Sequence, residues 1–103
     1  MAKDTQPAGE LLTRSEEQVK EPEEYRVLLL NDDYTTMEFV VSVLMTVFHK
    51  SLPDATKIML DVHKKGKGMV GVFSYDIAAT KVSQVHQLAR QNGFPLKCTM
   101  EKA

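Results

Sequence analysis

Residues 25–39 read YRVLLLNDDYTTMEF, and the fold turns on where the pattern changes within them. Tyr25–Leu30 is a short apolar run of the kind that forms a mostly buried strand. Asn31, Asp32 and Asp33 interrupt it with residue types that bond to their own backbone at turns. Thr35 and Glu38 then stand three apart, the spacing of a capping box, and an apolar helix is predicted to start at Met37. The stretch therefore predicts an exposed strand-to-helix corner bearing two carboxylates and an amide. Loop corners on rigid supports are where binding groups tend to sit.

Working outward, Met37, Val40, Val41, Leu44 and Phe48 recur at helical spacing, with Met45 and Val47 widening the stripe. Ser51 followed by Pro53 and Asp54 predicts the start of a second helix. Its apolar positions are Ala55, Ile58, Met59 and Val62, and Gly66 is its natural stop. Gly68–Ser74 (GMVGVFS) has the β-branched and aromatic character of a strand. A third helix is predicted from about Asp76 to Gln91, with Ala78, Val82, Val85 and Ala89 on one face. Gly93 ends it, Pro95 blocks its continuation, and Leu96–Met100 returns as a strand. The predicted fold class is α+β in the order β-α-α-β-α-β: a three-stranded antiparallel sheet with three helices packed on one face.

At 103 residues the chain accommodates one ordinary domain. Residues 1–24 contain Pro7, Gly9, Pro22 and scattered charges, with Leu11 and Leu12 nearly the only large apolar groups. Such a segment buries too little surface to offset its ordering entropy, which predicts a flexible N-terminal extension before a core of residues 25–103. The formal charge of −1 hides an asymmetry: seven acidic and three basic side chains up to residue 24, seven and ten beyond it. Neither half shows the clustered basic face of a nucleic-acid binder; Lys64, Lys65 and Lys67 form the only basic cluster. The single cysteine, Cys98, excludes an internal disulfide and a cysteine-built zinc site. The opening MAKDTQPAGELL lacks the apolar core of a signal peptide. No run approaches the roughly 20 apolar residues needed to span a bilayer. A reducing, cytoplasmic setting is the economical expectation.

The corner allows three readings. It is a turn whose charge favours the following helix, or a hard-oxygen metal site built from Asp32, Asp33 and Glu38, or an acceptor cluster for a cationic ligand such as an amine. His63 lies near the end of the second helix, and His49 and His86 read as solvent-facing helix positions. No GxSxG or HExxH motif is present, so hydrolytic catalysis is poorly supported. Met37, Val40, Met59 and Val62 are core residues when read in isolation, although methionine also suits surfaces that adapt to varied apolar ligands. Three functions follow: a module that captures an amine, a ribosomal-stalk-like domain that recruits a protein partner without amine recognition, and a metal-dependent hydrolase using Asp32, Asp33 and His63.

Taken together, the corner NDDYTTMEF, the stretch MLDVHKKGKG at 59–68, GVFSYDIAATKV at 71–82 and the terminal PLKCTMEKA resemble the ClpS family of bacterial N-degron adaptors. The resemblance covers about residues 22–103 in the right order and implies the same β-α-α-β-α-β fold. It implies an adaptor, not an enzyme, that needs no cofactor or metal. The adaptor would act as a cytoplasmic monomer that binds proteins beginning with Leu, Phe, Tyr or Trp. It would deliver them to a Clp AAA+ unfoldase, of the ClpA or ClpC type, paired with ClpP. Carried over position by position, Asn31, Asp32 and His63 would receive the free α-amino group, with Asp33 and Thr35 completing the polar rim. Met37, Val40, Met59, Val62 and Leu96 would line the side-chain pocket, with Met37 as a gatekeeper against β-branched residues. Asp76 and Lys81 would dock on the unfoldase, and the N-terminal extension would enter its pore. Two departures stand out: Thr36 occupies a position where the family commonly has proline, and DIAATKV replaces a segment closer to EVAETKV.

Overall fold

A computed structural model describes residues 23–103 of the chain. Six elements follow one another: β1 (Glu24–Leu30), α1 (Met37–Thr46), α2 (Leu52–Lys65), β2 (Lys67–Ser74), α3 (Tyr75–Gln91) and β3 (Lys97–Lys102). The strands form one antiparallel sheet in the order β2-β1-β3, and the three helices lie on one face of it. This is the predicted α+β architecture. The expectation for residues 1–22 lies outside the described residues. Of the predicted extension's last two residues, Glu24 opens β1 and Glu23 pairs with Lys102 at 3.1 Å.

Alternation explains the centre of the sheet. Val27 and Leu29, two apart on β1, are fully buried with Val43 and Leu44 of α1 and Val85 of α3. The register of β1 against β2 slips between Val27 and Leu28, because Val27 faces Gly71 while Leu28 faces Met69. Val70 is the extra residue of this bulge, and it is buried.

Local chemistry sets each helix end. Ser51 Oγ accepts the Asp54 N–H at 3.3 Å to cap α2, and Pro53 sits in the first turn, where no helical N–H is needed. Gly66 ends α2 in the left-handed region (φ 89°), its N–H donating to Val62 O at 3.0 Å. Helix α1 has no basic residue in its own last turn. The Lys81 ammonium of α3 supplies the missing charge, donating to Val47 O at 2.6 Å above the Phe48 ring.

His86 departs from its predicted solvent-facing position. It is half-buried against β3, and its Nε2 accepts the Cys98 N–H at 3.0 Å. The reason is geometric. β3 is an edge strand, so alternate N–H groups point away from β1 and need another partner. Burial also pushes the Cys98 thiol up to about 12, leaving it an inert packing group. Replacing His86 with alanine orphans the Cys98 N–H and should cost about 1–3 kcal/mol in a urea titration. His86→Gln, which retains an acceptor, should cost less.

Candidate functional site

Two contacts build the corner. Asn31 leaves β1 with its backbone N–H donating to Gly66 O at 2.9 Å, which draws the end of β1 against the end of α2. His63 lies three residues before that glycine, so the amide of Asn31 and the imidazole of His63 come to one cavity although 32 positions separate them in sequence.

The second contact is made by Asp32. Its Oδ1 accepts the N–H of Tyr34 at 2.8 Å and of Thr35 at 2.7 Å, and its Oδ2 accepts the Thr35 hydroxyl at 2.7 Å. This corrects the predicted capping box of Thr35 and Glu38. The Thr35 hydroxyl is spent as a donor to Asp32, and the next residue, Thr36, caps α1 by accepting the Phe39 N–H at 3.1 Å. The same finding revises the position-36 departure. Thr36 precedes the first helical residue, in an extended conformation with φ −75°, and its hydroxyl does capping work that proline cannot do.

Partial burial pulls the Asp32 carboxyl up, but the bonds from the Thr35 hydroxyl, the Thr35 N–H and the Tyr34 N–H outweigh it and hold the group below its ordinary value. A lowered folded value means that the ionised form is the one the corner prefers. Its stabilisation is therefore present above the unfolded carboxylate value, near 3.9, and is lost as pH falls through the lower folded value. The Tyr34 and Thr35 amides should stay protected from hydrogen exchange at pH 5–8 and lose protection in acid. Asp32→Asn should flatten that acid response.

Beneath the corner lies a cavity of about 550 Å³. Asn31, Asp32, Asp33, Thr35 and His63 form its polar side, and Met37, Val40, Met59 and Val62 its apolar side. Helical periodicity places the apolar four: Met37 and Val40 are three apart on α1, Met59 and Val62 three apart on α2. Val40 and Val62 are buried, Met59 is half-buried and Met37 is exposed at the mouth. Of the ten residues expected at this site, the structure brings nine to the cavity. Leu96 is the exception: it is buried in the core and absent from the cavity wall. The aromatic pair Phe39 and Phe94 (ring centroids 4.8 Å apart) fixes the segment preceding Leu96 behind α1.

Tyr34, Thr36 and Glu38 also line the cavity. Tyr34 was missed by the sequence reading, although its 76% exposure is a signal once the corner is built. Among the described residues no three His, Cys, Asp or Glu side chains converge as metal ligands would. A larger groove of about 630 Å³ lies between α1 and α3, with Gln84, Gln87, Gln91 and Asn92 beside Phe39, Val47 and Leu88, and it shares no residue with the cavity under the corner. The proposed docking residues lie elsewhere. Asp76 is exposed in the first turn of α3, and Lys81 is half-buried over α1.

Fold and corner together define a small α+β binding domain, with an apolar socket under a rim of hydrogen-bond acceptors. The family model for the ATP-dependent Clp protease adaptor protein ClpS matches residues 20–99. The chain belongs to the ClpS family. An ATP-dependent Clp protease adapter protein ClpS of Syntrophus aciditrophicus is 59% identical over 93 residues, which is 90% of this chain and 87% of that protein. The corresponding protein of Acetivibrio thermocellus is 61% identical over 82 residues, 80% of this chain and 83% of that one. Among solved structures, Agrobacterium tumefaciens ClpS2 bound to L-phenylalaninamide superposes with a TM-score of 0.78 at 42% identity, covering 81% of this chain and all of that one.

Proposed function

We propose that this chain is an adaptor that captures proteins by a hydrophobic N-terminal residue (Leu, Phe, Tyr or Trp) and hands them to a Clp AAA+ unfoldase working with ClpP. The observation that carries the reading is the juxtaposition of an apolar socket with an amide, two carboxyl groups and an imidazole at its mouth. An α-ammonium offers three donors, which an amide oxygen, a carboxylate and a neutral imidazole can take as charge-assisted bonds. An internal peptide bond has one N–H and no charge, and would leave those acceptors under-satisfied. The ligand of the A. tumefaciens relative supports the same chemistry, since phenylalaninamide combines a free α-amine, an aromatic side chain and an amide where a longer peptide would continue.

Roles divide accordingly. Asn31 and His63 accept from the ammonium directly. Asp32 contributes its negative charge, but its oxygens mainly hold the loop. Among the described residues Asp33 makes no side-chain hydrogen bond, so its carboxylate is available to the ammonium from the rim. Met37, Val40, Met59 and Val62 receive the side chain. Exposed Tyr75 and Ile77 beside Asp76 support an unfoldase contact at the start of α3. Lys81 contributes less, because its ammonium already serves Val47.

The chain lacks tryptophan, so a Trp-initiated peptide reports its own binding by fluorescence. The free peptide should bind and its N-acetylated form should not. Equal binding of both would remove amine recognition. Met37 at the mouth also has a testable part. In Met37→Ala, peptides starting with Val or Ile should gain relative to Leu, measured as a ratio of Kd values.

A further inference from the structure

Beside the socket, on the seam between α1 and α2, lies a second depression of about 410 Å³. Met37, Glu38 and Met59 are common to both, so the two cavities share a wall one side chain thick. Its other walls are Val41, Leu52 and Thr56. Thr56 Oγ1 donates to Leu52 O at 2.8 Å, so the depression presents no spare hydroxyl donor and is apolar up to the Glu38 carboxylate at its edge. Leu52 is 57% exposed and Met37 42%, and the two line the same depression, so they form a contiguous apolar patch of the kind that marks a contact site.

We infer that this depression is a second subsite of the same peptide groove, which takes the side chain of the third residue of the bound N-terminus. The inference rests on the proposed capture of an N-terminal residue in the first socket. Continuity selects the occupant, because the depression adjoins the first cavity across Met37 and Met59, within reach of a peptide anchored there. In an extended chain, side chains at i and i+2 point to the same face and stand about 6.6 Å apart, roughly one side-chain width. The second residue points the other way. Two thioethers in the partition adapt the subsite to varied apolar shapes. Glu38 at its edge disfavours an acidic third residue. The subsite therefore prefers Phe, Leu or Met at position three, with Ser weaker and Glu weakest.

The test uses the full chain and peptides labelled at the C-terminal end, read by fluorescence anisotropy. Leu-Ser-Phe peptides should bind on the order of tenfold tighter than Leu-Ser-Ser, and Leu-Phe-Ser should match Leu-Ser-Ser. In Leu52→Ser the advantage of Phe at position three should shrink to about twofold or less, while the Kd for Leu-Ser-Ser is unchanged. No gain at position three, an equal gain at position two, or a gain that survives Leu52→Ser would overturn the subsite while leaving the first socket intact. Failure of every Leu-initiated peptide to bind would overturn the first socket and the subsite with it.

Discussion

Replacing His63 or Asn31 with alanine is expected to weaken binding of a Leu- or Trp-initiated peptide by about tenfold or more each, with no loss of fold. A hydrogen bond to a charged group is worth roughly 1.5–3 kcal/mol, and each 1.4 kcal/mol is a factor of ten in Kd. Both side chains are exposed at element ends, so truncation leaves the core untouched. The link from Asn31 to Gly66 runs through the backbone and survives the substitution. Because both residues serve one ammonium, the double variant should lose less than the sum of the two losses. Peptide titration against each variant, with circular dichroism as the control for fold, checks this. An unchanged Kd in a folded His63→Ala protein would assign the histidine a structural place only.

The second large effect belongs to Gly68. A Cβ at this buried position of β2 would lie 2.8 Å from Val62 Cγ2 and 3.0 Å from the backbone oxygen of Ile58. One obstacle is a helix carbonyl, so α2 and β2 must separate rather than a side chain simply rotate. Overpacking of this kind costs about 1–3 kcal/mol. For a domain of this size each kcal/mol lowers Tm by about 4–8 °C. Val62 is also one of the socket's two buried walls, so displacing it reshapes the cavity. Gly68→Ala should therefore lower Tm and penalise Trp-initiated peptides more than Leu-initiated ones. An unchanged Tm together with an unchanged Trp-to-Leu ratio would show that β2 and α2 are not in this close contact.

These two predictions mark what was and was not legible in the sequence. Element order was legible where boundaries carry local chemistry: Ser51 and Pro53 open α2, Gly66 closes it, and Gly93 stops α3. The cap of α1 was not, because two adjacent threonines compete for it. The choice falls to whichever hydroxyl Asp32 does not engage. The partners of His86 and Lys81 were also hidden, since they lie 12 and 34 positions away and depend on how α3 docks. The meeting of Asn31 with His63 rests on a backbone bond to Gly66 that no spacing encodes. Family resemblance supplied that pairing, and it also carried Leu96 into the pocket set, where the packing of this chain keeps it in the core.

The central claim is that the cavity under the corner receives the first residue of another polypeptide, side chain and ammonium together. A crystal of the protein soaked with a Leu-initiated dipeptide tests it most directly. The account predicts the leucyl side chain between Met37, Val40, Met59 and Val62, with its ammonium within hydrogen-bond reach of Asn31 and His63. A cavity that stays vacant at saturating dipeptide, or that is filled by the chain's own side chains, would contradict it.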